Sequence, residues 1–229
     1  MSMLRTLATS AAALALGAGI ASAATFTVVG TDTTVISAAV GNNLVEPVFG
    51  ENTVLNGVIG QLGVSANTRV RFEFLGFEAG AENVFGFGGA DLWSTPCSGT
   101  AVTPSPGVLC DPVLATPWIS VAGGPLDFYF KTDLAGASPA QVNNAPSNNS
   151  AANITNFAIT LDGLRTAYLW FDDSGGTRPS GERDDDNHDD MLIRVSIIPL
   201  PAPAFLLLGG MGVFGGMAAL RRRKQKAAA

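Results

Sequence analysis

Aspartates crowd one segment of the chain in a pattern that suits a hard cation. Seven of them fall between Asp172 and Asp190, in the pair Asp172-Asp173 and in the run 184–190. At this density the carboxylates repel one another unless something neutralises them, and Ca²⁺ takes roughly six to eight oxygen ligands. We therefore predict a calcium site whose ligands come from both parts of the pattern: Asp172, Asp173, Asp185, Asn187 and Asp189.

The spacing of these acidic residues differs from that of an EF-hand loop. Counted from Asp185, the sixth position holds Asp190 instead of glycine, and Ser196 stands where the loop needs a bidentate glutamate. A solvated acidic loop at the tip of a hairpin is the alternative interpretation. Both interpretations stay open at this point.

Residues for enzyme chemistry are few. The chain has a single histidine, His188, which lies inside the acidic run, and no G-x-S-x-G motif occurs. Two facing carboxylates can hydrolyse a glycosidic bond, so a glycosidase-like enzyme is a second alternative. No acid–base pair is singled out by the sequence, and we expect no catalytic residues and no enzymatic activity.

Two cysteines, Cys97 and Cys110, are the only ones in the chain. They enclose a segment with Pro104, Pro106 and Gly107, which disfavours regular structure. A disulfide is the default for an exported protein, and closing a loop of about 14 residues stabilises a fold by roughly 3 kcal/mol in the chain-entropy model. With no histidine nearby, a metal site or a catalytic thiol is the weaker alternative.

Short β-strands must position these residues. Thr68–Leu75 alternates apolar and charged side chains, the period of a half-buried strand. Eight further segments read as strands, most of them bounded by Gly, Pro, Asn or Asp: Thr25–Val29, Thr33–Val40, Val84–Phe87, Trp118–Val121, Leu126–Lys131, Ile154–Thr160, Thr166–Phe171 and Met191–Ile198. Val54–Leu62 is the one weak helix candidate. The pattern predicts an all-β fold, a single β-sandwich of jelly-roll type over residues 24–197.

The first residues have the three parts of a secretory signal peptide. Arg5 gives a positive start, Leu7–Ile20 is apolar and uncharged, and Ala21-Ser22-Ala23 supplies the small residues that signal peptidase recognises. We predict residues 1–23 as a signal peptide, with cleavage between Ala23 and Ala24. Signal peptidase is thus the first expected partner.

The last residues, 198–229, form a second membrane-directed segment. Ile198, Pro199, Leu200, Pro201 and Ala202 lead into an uncharged apolar run over 202–220, which spans roughly 28 Å at about 1.5 Å per residue. Arg221, Arg222, Arg223, Lys224 and Lys226 follow it directly. A basic cluster beside a hydrophobic helix stays in the cytoplasm, so residues 221–226 are expected inside and the middle of the chain outside the inner membrane.

This proline motif, apolar run and basic tail resemble the PEP-CTERM class of bacterial sorting signals. The segment 198–202 resembles its VPLPA-type variant, with isoleucine in place of valine. The resemblance covers about the last thirty residues. It implies a Gram-negative bacterium, a transient inner-membrane anchor, and an exosortase-type transpeptidase that cuts near the motif. Proteins with such tails are linked to extracellular polysaccharide and biofilm matrix.

A second resemblance involves the acidic segment. Strand, Asp-Asp pair, glycines, acidic run and final strand resemble the C-terminal hairpin of the DUF4114-like group of sorted bacterial proteins. That resemblance covers about thirty residues and implies no activity.

Charge is distributed unevenly along the chain. Residues 24–197 hold all 19 acidic but only seven of the 13 basic residues, a net charge of −12. Such an acidic domain is not expected to bind nucleic acid. We expect an exported, non-enzymatic cell-surface or matrix protein of structural or adhesive type. A carbohydrate-binding module for extracellular polysaccharide is the alternative, with Trp93, Trp118 and Trp170 as candidate platform residues.

Overall fold

The computed structural model describes residues 23–97, 107–134, 137, 139–174 and 187–199. Regular structure in this part is almost entirely antiparallel β-strand, which confirms the all-β prediction. The exceptions are a 3₁₀ turn, Ala38–Val40, and the short helix α1, Val45–Phe49. None of the described helices has the length and apolar character needed to span a bilayer. The predicted signal peptide up to residue 22 and the apolar run 202–220 lie outside the described residues.

Thirteen strands are described. They are β1 (Phe26–Ser37), β2 (Val54–Val64), β3 (Thr68–Phe77), β4 (Asn83–Phe87), β5 (Ala90–Ser94), β6 (Val108–Ala115), β7 (Ile119–Val121), β8 (Gly124–Pro125), β9 (Phe128–Thr132), β10 (Gln141–Asn143), β11 (Asn156–Asp162), β12 (Thr166–Asp172) and β13 (Met191–Pro199).

Two sheets contain these strands. The larger has the order β1-β2-β11-β12-β13-β3-β6, with β7 paired to β3 and β8 paired to β2. The smaller has the order β10-β9-β4-β5. The last of the described strands, β13, therefore lies inside the large sheet, between β12 and β3.

Phenylalanines from both sheets share one core. The rings of Phe130, on the small sheet, and Phe171, on the large sheet, stack with their centroids 4.6 Å apart. Phe72 and Phe85 make a second contact between the sheets at 5.3 Å. Burial of these large side chains, each nearly inaccessible to solvent, is the main force that holds the two sheets together.

A smaller apolar cluster lies on the other face of the large sheet. The ring of Phe49, in α1, packs against Tyr168 at 4.7 Å and against Trp170 at 5.8 Å. Trp170 is fully buried, and its Nε1 donates to Thr160 Oγ1 at 2.9 Å. The segment that contains α1 thus covers Tyr168 and Trp170 on this face.

The strands of the large sheet run between two chemically different ends. We call one the exit end: Phe26 N donates to Leu164 O at 3.2 Å there, and Ile197 N donates to Arg165 O at 3.0 Å. The start of β1 and the end of β13 are thus both hydrogen-bonded to the β11–β12 turn. We call the other the acidic end, where β12 stops at Asp172 and β13 begins after Asp190.

The helix candidate Val54–Leu62 is wrong, because this segment is the first part of strand β2. Its glycines disfavour a helix, and one of them allows two strands to approach closely. A Cβ on Gly60 would lie 2.2 Å from the carbonyl oxygen of Val29 in β1. The two strands predicted at Thr25–Val29 and Thr33–Val40 are largely one strand, interrupted by a bulge between Val29 and Asp32.

Candidate functional site at the acidic end

The predicted calcium ligands lie next to two hydrophobic strands, at the end of β12 and before the start of β13. Phe171 and Met191 are fully buried and pair across β12 and β13, which places the residues that follow and precede them at one end of the sheet. Asp172 and Asp173 are 2% and 3% exposed, as little as the core residues around them. A solvated loop does not describe these two carboxylates.

Asp173 and Asp190 share a hydrogen-bonded connection. The backbone N of Asp173 donates to Asp190 Oδ2 at 2.8 Å, and Asn83 Nδ2 donates to Asp173 Oδ2 at 2.8 Å. Burial raises the pKa of Asp190 well above its usual value, and the neighbouring Asp173 and Asp172 carboxylates raise it further. The acidic end therefore favours a bound proton or cation over an additional free charge.

Asn187 and Asp189 form hydrogen bonds with residues 41–43, a loop that is distant in the sequence. Asn43 N donates to Asp189 Oδ2 at 2.7 Å, and Asn187 Nδ2 donates to Gly41 O at 3.1 Å. Asn42 completes this contact, because its Nδ2 donates to Asn187 O at 2.7 Å. These bonds join positions about 146 residues apart in the sequence, so both predicted ligands also hold the fold together.

His188 lies inside this network. Its ring is 2% exposed, and its Nε2 lies 2.8 Å from Asn156 Oδ1. Asn156 Nδ2 donates to Asn153 O, so Oδ1 is left as an acceptor and we assign the proton to His188 Nε2. His188 Nδ1 lies 3.8 Å from Asp172 Oδ2, a contact that becomes an ion pair when the ring is protonated.

The geometry leaves calcium binding a prediction. Of the five predicted ligands, Asp185 lies outside the described residues, and the other four reach the acidic end. Within the described part of the chain, no group of three or more His, Cys, Asp or Glu side chains is arranged to hold a metal ion. Two neighbouring oxygens have spare capacity: Asn83 Oδ1 and Ser174 Oγ are buried and form no hydrogen bond within that part.

The asparagines of this site were not among the residues predicted from the sequence. Asn42 Oδ1 accepts from Leu44 N at 3.0 Å and from Val45 N at 3.1 Å, while its amide group reaches across to residue 187. Asn83 and Asn156 instead bond side chains of the site, the Asp173 carboxylate and the His188 ring. Asparagine is common in loops, and only its tendency to bond nearby backbone hinted at such a role.

The predicted disulfide between Cys97 and Cys110 is present. Both cysteines are almost fully buried, at 5% and 4% exposure, and belong to the core between the sheets. The bond attaches the chain after β5 to the edge strand β6.

The three tryptophans have different surroundings. Trp170 is fully buried, whereas Trp93 is half-buried and stacks on Phe85 with 6.0 Å between ring centroids. Trp118 is also half-buried. The described residues therefore present no flat pair of exposed tryptophans of the kind that the carbohydrate-binding alternative needs.

The predicted processing sites flank the β domain. Ala23 is exposed, whereas Ala24 is 1% exposed and part of the core. At the other limit, Ile198 pairs with Arg69 in the sheet, and Thr68 Oγ1 donates to Ile198 O at 2.6 Å. Pro199 is the last residue of β13. The remaining motif residues, Leu200, Pro201 and Ala202, lie outside the described residues.

Comparisons with known proteins add no assignment to this geometry. No family model, no curated protein and no solved structure matches the chain.

Proposed function

We propose that the chain is an exported, non-enzymatic cell-surface or matrix protein, processed by signal peptidase at its start and by an exosortase-type transpeptidase at its end. The observation that best supports this is the fit of the β domain between the two signals. Ala24, the first core residue, directly follows the predicted signal-peptidase site. The last strand ends at Pro199, inside the motif 198–202.

The disulfide between Cys97 and Cys110 also supports export, because such bonds persist in oxidising compartments. We further propose that the two sheets form a β-sandwich of jelly-roll type, which the shared phenylalanine core supports. A domain with one shared core and a disulfide suits a structural role outside the cell.

A non-enzymatic role agrees with the position of the one histidine. His188 is 2% exposed and bonded to Asn156 within the acidic end. A general base must reach a substrate, and this ring is used to hold two strand ends together.

The test is the intact mass of the protein recovered from a Gram-negative host that contains an exosortase-type enzyme. We expect a chain that starts at Ala24 and lacks residues 221–226. Changing Leu200→Ala together with Pro201→Ala should cause the tail to be retained, whereas Pro203→Ala, just beyond the motif, is the matched control. A wild-type mass that still includes Arg221–Lys226 would overturn the sorting proposal.

A further inference from the structure

The first and last described strands, β1 and β13, meet the rest of the chain at the same end of the large sheet. Phe26 N and Ile197 N bond to consecutive carbonyl groups, those of Leu164 and Arg165, in the turn between β11 and β12. The apolar run 202–220 begins three residues after Pro199. Three residues span at most about 11 Å, so the exit end lies within that distance of the start of the run.

Arginines extend from this end toward the middle of the large sheet, on its outer face. Arg69 and Arg71 alternate along the first part of β3, and Arg194, near the middle of β13, pairs with Glu73 on the same face. Arg165 is exposed in the adjacent turn. We call these four residues the arginine patch: Arg69, Arg71, Arg165 and Arg194.

The carboxylates beside the arginine patch do not neutralise it. Glu73 accepts from Arg194 Nε at 2.7 Å and lies 3.8 Å from Arg71 Nη2, so one carboxylate serves two guanidinium groups. Asp162, opposite Thr166, is the second carboxylate beside the patch, and Asp32 lies on the same face but on β1, at the far edge of the sheet. The remaining described cation, Lys131, is on the small sheet in an ion pair with Asp91.

An exposed apolar side chain lies at the tip of the same end. Leu164 is 69% exposed, more than any other large hydrophobic residue in the described part of the chain. Gly163, with φ of +69°, allows the tight turn that presents it. Leu164 is followed directly by Arg165, so an apolar group and a cation project together.

From these observations we infer that the exit end is a membrane-contact surface that lies against anionic lipid headgroups. The arginine patch contacts headgroup phosphates, Leu164 enters the interfacial region, and the acidic end points away because the same lipids repel it. The inference rests on the proposed function, since it requires the run 202–220 to span a bilayer. The headgroup layer is several ångströms thick on each side, within reach of the short connection.

The experiment uses the chain with its tail, reconstituted into vesicles of phosphatidylcholine with or without phosphatidylglycerol. A lipid with a photoactivatable headgroup labels nearby residues, and mass spectrometry compares the yield at residues 163–165 with the yield at residues 78–82. The latter follow β3 at the acidic end, where Glu78 N donates to Asp189 O at 2.8 Å. The chain used begins at Ala24, after the predicted signal peptide, so that resistance to alkaline carbonate extraction establishes that the tail is inserted. We expect the yield ratio to favour residues 163–165 severalfold with phosphatidylglycerol, and to fall in its absence or in about 0.5 M NaCl, where the Debye length is about 4 Å.

Variants make this test specific. Leu164→Ser with Arg165→Gln, confined to the turn, should lower the ratio at least about fivefold, the factor that roughly 1 kcal/mol per cation near an anionic surface implies. Arg69→Gln with Arg71→Gln tests the sheet part of the patch. Lys131→Gln, which removes a cation elsewhere, should leave the ratio unchanged.

The outcomes separate the two proposals. Equal labelling of both ends in a chain whose tail is inserted overturns the membrane-contact surface and leaves the proposed function standing. A chain that carbonate extracts completely overturns both, because the tail then does not span the bilayer.

Discussion

The exit end and the acidic end terminate the same strands but handle charge in opposite ways. In the arginine patch beside the exit end, Arg71 and Arg194 keep more than a third of their side chains exposed. At the acidic end, Asp172 and Asp173 are as buried as phenylalanines. Exposed charges add little to stability and stay available to partners, whereas buried ones must be matched by hydrogen bonds or cations.

The largest expected effect comes from breaking the network of the acidic end at Asn42. Asn42→Ala removes acceptors for Leu44 N and Val45 N and donors to two carbonyl groups in the 187–188 segment. Unsatisfied buried polar groups cost about 1–3 kcal/mol each, so we expect a loss of roughly 2–4 kcal/mol in the free energy of unfolding. Denaturant titration measures it.

Two control variants accompany this measurement. Asn56→Ala, at an exposed position of β2, and Arg165→Gln, at the exit end, should each change the free energy of unfolding by no more than about 0.5 kcal/mol. Equal losses for Asn42→Ala and Arg165→Gln would contradict the contrast between the two ends.

Calcium should stabilise the acidic end and leave the exit end unaffected. An ion bound only by the folded state at a hundredfold excess over Kd stabilises by about 2.7 kcal/mol, which raises the melting temperature of a domain this size by roughly 5–10 °C. Sodium at matched ionic strength should not reproduce the shift. Asp185→Ala should abolish it and Asp162→Ala, at the exit end, should preserve it; a melting temperature indifferent to calcium and chelator refutes the site.

The smallest expected effect concerns Asp190 and pH, measured with chelator present. Because the folded state raises the pKa of this carboxyl, the folded chain binds its proton more tightly than the unfolded chain does. Its contribution therefore favours folding at low pH and is lost as pH rises from the unfolded pKa, about 3.9, through the raised folded pKa.

Asp190→Asn should remove this pH dependence and raise the melting temperature at neutral pH by a few degrees, since about 1 kcal/mol shifts a domain of this size by roughly 2–4 °C. The amide oxygen can still accept from Asp173 N. Thermal melts across pH 4–8 compare it with Asp162→Asn. A parallel pH profile for wild type and Asp190→Asn would show that Asp190 is not the group responsible.

Local patterns predicted much of the sheet. Alternation in Thr68–Leu75 corresponds to β3, and the apolar segments before and after the aspartates correspond to β12 and β13. Strand β6 was missed because Asp111 and Pro112 interrupt its pattern. Val54–Leu62 was misassigned because its glycines, which let β1 approach, leave no clear period of two.

Local sequence patterns could not predict that the acidic end is buried. The position of Asp172 at a strand end could be predicted because it depends on neighbouring residues. The Cys97–Cys110 bond could be predicted because the chain has only these two cysteines to pair. The contact of Asn42 and Asn43 with residues 187–189 joins segments about 146 positions apart. No periodicity in a single sequence reports such a pairing, so the burial of Asp172, Asp173 and Asp189 could be seen only in the structure.

The place of β13 in the large sheet also sets the order in which the domain can be completed. Without it, the sheet separates into β1-β2-β11-β12 on one side and β3-β6 on the other, because only β13 bridges β12 and β3. A chain that emerges from its N-terminus first must therefore wait for β13 before these halves can join. A truncation before Met191 leaves an unfinished sheet with two open edges, and such edges are prone to pair with other chains.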